Sequence, residues 1–263
     1  MIERVASLDD PRVAAYAHVG DPGWLRDQHL FVAEGRLVVR RLLEAGTFTV
    51  RSVLVTPAAL AALEDVLDPA FPAYLCEQQT MDAIAGFNFH RGCLALGERP
   101  PRIDALGGLA RARRLLALEG IGNPDNVGGL FRVAAAFGLH GVVLDRACAD
   151  PLYRKAIRTS MGAALRVPFA TLDDWVAGLR GLRDGGAEVV ALTPDLSATP
   201  LADYATRVFP ERRLVLMVGA EGPGLSPAAF ASATATVRIP IAADVDSLNV
   251  VVAAGIALAA LAR

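Results

Sequence analysis

Three loops collect the residues most capable of chemistry. The first, Glu119-Gly120-Ile121-Gly122-Asn123-Pro124-Asp125-Asn126-Val127-Gly128-Gly129, leads into a predicted helix that carries Arg132. The second is Gly219-Ala220-Glu221-Gly222-Pro223-Gly224-Leu225-Ser226. The third is Ile239-Pro240-Ile241, followed by Asp246-Ser247-Leu248-Asn249 at the start of the last helix. Each follows a predicted strand, at the end where open α/β sheets bind ligands. Singly, each has an ordinary explanation: Gly and Asn supply positive φ in turns, Asn126 and Ser247 stand at predicted N-caps, and Glu221 serves as a loop charge. Together they offer an arginine, a carboxylate and neutral polar side chains. Arg132 falls on an otherwise apolar helix, so the pattern places its charge near an apolar face, in need of a carboxylate or phosphate partner. Ser247 and Asn249, two apart, aim from one helix N-terminus. Such a set suits an anionic substrate bound beside a small ligand.

Other chemistries lack their residues. Lys155 is the single lysine and lies between Arg154 and Ala156, so no phosphate-binding Gly-Lys-Ser/Thr loop exists. The dinucleotide fingerprint fails at Asp125 and Pro227, where its third glycine belongs. There is no Gly-x-Ser-x-Gly nucleophile turn. His18, His29, His90 and His140 form no ligand cluster with Cys76, Cys93 and Cys148, so no metal site is expected. Three cysteines without a CxxC point to a reducing compartment.

The elements that must position these loops follow from apolar periodicity. Before residue 100, strands are predicted at His29–Ala33, Val50–Val55, Ala73–Cys76 and Cys93–Leu96, with helices at Glu34–Ala45 and Ala58–Val66. Glu98-Arg99-Pro100-Pro101-Arg102 breaks the chain. Beyond it, strands are predicted at Leu115–Leu118, Gly141–Leu144, Glu188–Leu192, Leu214–Val218 and Ala235–Ile239. Helices are predicted at Val127–Phe137, Leu172–Leu182 and Leu248–Leu261. This alternation predicts an α/β fold: a parallel sheet covered on both faces, preceded by a small α/β domain. The divisions are 1–100 and 104–263.

The chain has 263 residues, 53% hydrophobic and 21% charged, with a net charge of −2, which excludes binding to nucleic acid by bulk charge. Residues 1–100 hold nine basic and thirteen acidic side chains; residues 102–166 hold ten and five. Arg154, Lys155 and Arg158 are spaced so that they could share one face of a helix, a solvated face or one that meets an anionic partner. The N-terminus lacks a signal-peptide core and the longest apolar run, Val250 to Ala262, has 13 residues, too few for a bilayer. A cytoplasmic location, with no membrane partner, is expected.

The three loops closely resemble the motifs of the SpoU/TrmH family of RNA ribose 2′-O-methyltransferases, in the SPOUT superfamily. The first motif is carried by Asn123-Pro124-Asp125-Asn126-Val127-Gly128 and Arg132-Val133-Ala134, the second by Gly219 to Ser226, the third by Ile239-Pro240-Ile241 and Ser247-Leu248-Asn249-Val250. Arg158-Thr159-Ser160-Met161-Gly162-Ala163 resembles a further family segment. Phe31-Val32-Ala33-Glu34-Gly35 and His90-Arg91-Gly92-Cys93-Leu94-Ala95 resemble the family's separate RNA-binding domain, although the charge of −4 before residue 100 departs from an RNA clamp.

The resemblance implies a trefoil knot in the C-terminal domain, with S-adenosylmethionine contacted by Gly219, Ile239 and Leu248. It implies a homodimer through the knotted domain and its apolar last helix. The implied reaction is transfer of methyl to a ribose 2′-hydroxyl, on ribosomal rather than transfer RNA. Arg132 would act at the hydroxyl, as base or as phosphate anchor, while Asn126, Glu221, Ser247 and Asn249 orient the reacting groups. Three alternatives stand beside it: a knotted enzyme acting on a base nitrogen, a non-catalytic RNA-binding dimer of the same fold, and an unrelated small-molecule α/β enzyme.

Overall fold

A computed structural model describes residues 2–86, 88–100, 106–207 and 212–261. Early in the chain, apolar runs form β1 (Ile2–Arg4), β2 (Leu30–Glu34), β3 (Val50–Val55), β4 (Ala73–Leu75) and β5 (Cys93–Glu98), with helices α1 (Pro22–Asp27), α2 (Arg36–Ala45), α3 (Pro57–Leu63) and α4 (Gln78–Ala85) between them. The sheet order is β1-β4-β3-β5-β2. The pairs β1/β4 and β3/β4 are parallel, and β2 and β3 each run antiparallel to β5. Side chains two apart share a face, so Leu30 and Val32 join Leu94, Leu96 and Leu54 in one core. On the opposite parity, Phe31 pairs with Gly97, and its ring occupies the space a Cβ there would need.

Later runs form β6 (Arg114–Glu119), β7 (Gly141–Leu144), β8 (Phe169–Thr171), β9 (Ala187–Leu192), β10 (Thr199–Pro200), β11 (Arg213–Gly219) and β12 (Ala235–Arg238). Their helices are α5 (Pro124–Ala136), α6 (Arg154–Thr159), α7 (Trp175–Asp184), α8 (Leu201–Ala205), α9 (Pro227–Ser232) and α10 (Val250–Leu261). The order is β10-β12-β9-β11-β6-β7-β8, and every paired neighbour is parallel. The central strands are almost wholly buried, which explains their continuous apolar runs.

Two compact units result: Met1–Pro101 with Pro151–Arg166, and Arg102–Asp150 with Val167–Arg263. The segment bearing α6 thus packs with the first sheet despite its place in the chain. Pro101 and Arg102, at the expected break, lie outside the described residues, as does the 104 boundary. The helix expected over Leu172–Leu182 starts at Trp175, capped by Asp174, whose carboxylate accepts from Ala177 N at 2.9 Å. The preceding Phe169–Thr171 is a short strand. Among the described residues, no helix is long and apolar enough to cross a membrane, and no group of three potential metal ligands occurs.

Candidate active site

β6 and β11 are adjacent and in register, with Glu119 paired to Gly219, so the first two loops leave the sheet side by side. Glu119 ends an otherwise apolar strand and turns its carboxylate across to the second loop. Ser226 N donates to its Oε2 at 2.8 Å and Ser226 Oγ to its Oε1 at 2.7 Å. The same Oγ accepts from Ala229 N at 3.2 Å, capping α9. Gly219 permits this convergence: a Cβ there would stand 2.3 Å from the Gly224 carbonyl carbon. Gly222 and Gly224 both take positive φ, closing a turn in which Gly224 N donates to Ala220 O at 3.0 Å. The first loop is braced from β7, since Asp145 Oδ1 accepts from Gly120 N and Cys148 N, each at 3.0 Å. Cys148 donates through Sγ to Leu118 O, and burial pushes its thiol up, so it remains protonated.

The caps differ from expectation. Asn123, not Asn126, caps α5: its Oδ1 accepts from Asp125 N at 2.8 Å, with Pro124 as the first helical residue. Asn249, not Ser247, caps α10. Its Oδ1 accepts from Val251 N at 3.0 Å and Val252 N at 3.4 Å, and its carbonyl accepts from Ala253 N. A Ser or Asn near a helix start signals a cap, but the position depends on where the chain bends. Here the bends come three residues earlier and two later.

Relieved of capping, Asn126 joins a different arrangement. Asn249 Nδ2 donates to Glu221 Oε1 at 2.9 Å and to Asn126 Oδ1 at 3.2 Å. One amide therefore ties α10, the loop after β11 and the first turn of α5. Because its Oδ1 serves backbone N–H groups, its Nδ2 must face the two acceptors. Gly129 sets the approach of α5 to α10, since a Cβ there would lie 2.7 Å from Val251 Cγ2.

Arg132 corrects a second expectation. Val127, Leu130, Phe131 and Ala134 take the buried face of α5, which leaves Arg132 exposed on the other. Among the described residues it makes no hydrogen bond or ion pair, so burial does not oblige it to have a partner. Ser247 is likewise exposed, and no bond joins either residue to the Asn249 cluster among the described residues. Ile239 and Leu248 are half-buried and flank the third loop. Just before it, Arg238 Nε is buried without a hydrogen-bond partner among the described residues. Glu119 and Asp145 were not singled out from the sequence, although an acid closing an apolar strand was a visible signal for both.

The geometry has close counterparts among known proteins. Residues 113–259 match the model of the SpoU rRNA methylase family. An "uncharacterized tRNA/rRNA methyltransferase" of Mycobacterium bovis is 39% identical over 97% of this chain and 90% of its own length. The solved structure of a putative TrmH-family RNA methyltransferase from Porphyromonas gingivalis superposes with a TM-score of 0.82 at 26% identity, covering 95% of this chain and 96% of that one. An AdoMet-bound rRNA methyltransferase from Sinorhizobium meliloti gives 0.81 at 24% identity, covering 99% and 97%, and shares the fold. With the family model spanning more than half its length and a relative matched almost end to end, the chain belongs to the SpoU methylase family.

Proposed function

We propose that this protein transfers a methyl group from S-adenosylmethionine to a ribose 2′-hydroxyl of RNA, ribosomal RNA being the favoured substrate. One observation carries the reading: Asn249 joins Asn126 and Glu221 through a single amide, drawing the three family motifs into one polar cluster beyond the carboxyl ends of the central strands β6 and β11. The loops suit the cofactor. Gly219 lets the second loop fold back on the strand end, with Gly224 and Leu225 backbone in the space a side chain would need, and Ile239 and Leu248, which flank the third loop, are half-buried.

When bound, the cofactor supplies an electrophilic sulfonium methyl. The chain must then orient the ribose and stabilise the oxygen as it loses its proton. Arg132 is suited to the second task as a permanent cation: guanidinium does not deprotonate in proteins, so it grips the adjacent phosphate and steadies the developing alkoxide. Its exposure leaves its five donors available. Asn249 keeps Asn126 and Glu221 in place, while Ser247 is free to contact the ribose. The 2′-hydroxyl requirement restricts the substrate to RNA.

The same reading includes the trefoil knot, a cytoplasmic location, and an RNA-binding role for the domain over 1–100 ahead of the methyltransferase domain over 104–263. It also includes a homodimer. α10 is apolar all round, yet Val252 and Ile256 are 51% and 42% exposed, one turn apart, an apolar stripe that a second copy would cover.

The test is transfer of labelled methyl from S-adenosylmethionine to unmodified bulk RNA, followed by nuclease digestion. Label in a 2′-O-methyl nucleoside is expected, falling at least a hundredfold in Arg132→Ala. Label on a base overturns the ribose assignment, and absence of both label and cofactor binding overturns the whole reading.

A further inference from the structure

The conspicuous charge arrangement outside the active site lies in the first unit. Glu34, the last residue of β2, is 4% exposed, yet it is a carboxylate. Arg154 Nη1 reaches its Oε2 at 2.9 Å, and Arg91 Nε and Arg158 Nη1 approach its Oε1 at 3.1 and 3.9 Å. One negative charge faces three guanidiniums. The excess is not hidden, for the Arg91 and Arg158 side chains are 53% and 38% exposed. Both line an open groove of about 550 Å³, which Arg36 and His90 also border. Among the described residues lining it, Glu34 is the only acid.

The donor inventory points outward. Arg91 spends Nε on Glu34, and its two terminal nitrogens make no hydrogen bond among the described residues; among the same residues Arg158 makes the long ion pair and no hydrogen bond. Arg36, which makes no hydrogen bond or ion pair among the described residues, is exposed at the first residue of α2, where a cation opposes the helix dipole. The stem of Arg91 lies 3.2 Å from where a Gly35 Cβ would stand, so Gly35, at φ +92°, leaves it room. Glu34 thus acts as a buried anchor that gathers guanidiniums and leaves their forks toward the groove. Forked, weakly hydrated donors match phosphate oxygens bidentately.

We infer that this groove is a binding site for phosphodiester groups of the RNA backbone, with Arg36, Arg91 and Arg158 as the contacts and Glu34 as the positioning residue. The inference rests on the RNA substrate proposed above and adds a place where RNA is held. It also accounts for the acidic first hundred residues. Pro151–Arg166 brings four basic residues and no acid into the unit, raising nine basic side chains to thirteen against thirteen acidic. One of the three proposed contacts, Arg158, comes from that segment, beside Arg36 and Arg91 of the first hundred residues.

The experiment measures binding of a fluorescein-labelled, unmodified ribosomal RNA transcript to the full chain by anisotropy, over a range of salt. It compares wild type, R36A/R91A, and R51A/R180A, which removes two exposed arginines elsewhere. R36A/R91A is expected to weaken binding at least tenfold and to flatten the log K against log salt slope by about 0.7 to 0.9 per lost phosphate contact. R51A/R180A should stay within twofold of wild type. Equal loss in both double variants, or none in R36A/R91A, overturns the site. Calorimetry with inorganic pyrophosphate separates a small-molecule site: if R36A/R91A loses pyrophosphate but keeps RNA affinity, the RNA assignment fails. Circular dichroism melting checks that the variants are folded. Calorimetry with S-adenosylmethionine keeps the two proposals apart: wild-type failure there removes the methyl-transfer reading and leaves the RNA result standing.

Discussion

Asn249 and Glu34 each bind several elements together through one side chain, and they do so with opposite electrostatics. Asn249 is neutral and exposed. Both halves of its amide are fully used, the oxygen on two backbone N–H groups and the nitrogen on Asn126 and Glu221. Glu34 is charged and buried, and the three arginines around it exceed its charge. The first arrangement is self-contained: it fixes loop positions by hydrogen bonds that use up its own donors and acceptors. The second carries more guanidiniums than the one carboxylate neutralises, with Arg91 and Arg158 half-exposed. A neutral hub closes on itself, whereas a buried acid ringed by more than one arginine leaves positive charge facing outward, which is the basis of the RNA-backbone site proposed above.

The contrast is most directly broken at Glu34. Removing the buried carboxylate takes a charged hydrogen-bond partner from Arg154 while the other two arginines can hydrate, so Glu34→Ala should cost about 2 kcal/mol in urea unfolding. Arg91→Ala, at a half-exposed position, should cost under about 1 kcal/mol. Equal costs for the two would show that the carboxylate does not organise the cluster.

A smaller effect is expected at Asn249. Asn249→Ala removes a helix cap and should destabilise by about 1 kcal/mol. Asn249→Asp keeps the capping oxygen but sets a second carboxylate against Glu221. It should therefore lose methyl transfer while regaining stability as pH falls and one of the pair protonates. Full activity in Asn249→Asp would show that the amide hydrogens are dispensable.

The smallest effect sharpens the surroundings of Glu34. Cys93 O accepts from Gly35 N at 3.0 Å, and burial pushes the Cys93 thiol up to about 12 from an ordinary 9. Below pH 9 both folded and unfolded chains keep the thiol neutral. Between pH 9 and 12 only the unfolded chain ionises it, so stability falls with rising pH. Cys93→Ala should flatten that fall in thermal melts. Part of the slope should persist, because Cys76 is also raised, to about 11.

Much of this was legible before any coordinates. Val50–Val55 and Gly141–Leu144 form strands over their expected spans, and other core elements differ by a few residues at their ends. Uninterrupted apolar runs are what buried strands require. The half-exposed Phe169–Thr171 and the two-residue Thr199–Pro200 escaped because neither carries an apolar pattern long enough to register. The caps were misplaced for a related reason: Asn123, Asn126, Ser247 and Asn249 are equivalent by type, and only the path of the backbone selects among them.

The sequence by itself determined the α/β class, the family and the identity of the three loops, because hydrophobic period and local motifs are properties of neighbours along the chain. Only the tertiary structure decided that Asn249 is the hub, that Glu119 and Asp145 brace the loops, that Arg132 faces solvent, and that Arg154 and Arg158 meet Glu34 some 120 residues away. These are long-range contacts, made where the folded backbone brings distant segments together, and no spacing in the sequence encodes them.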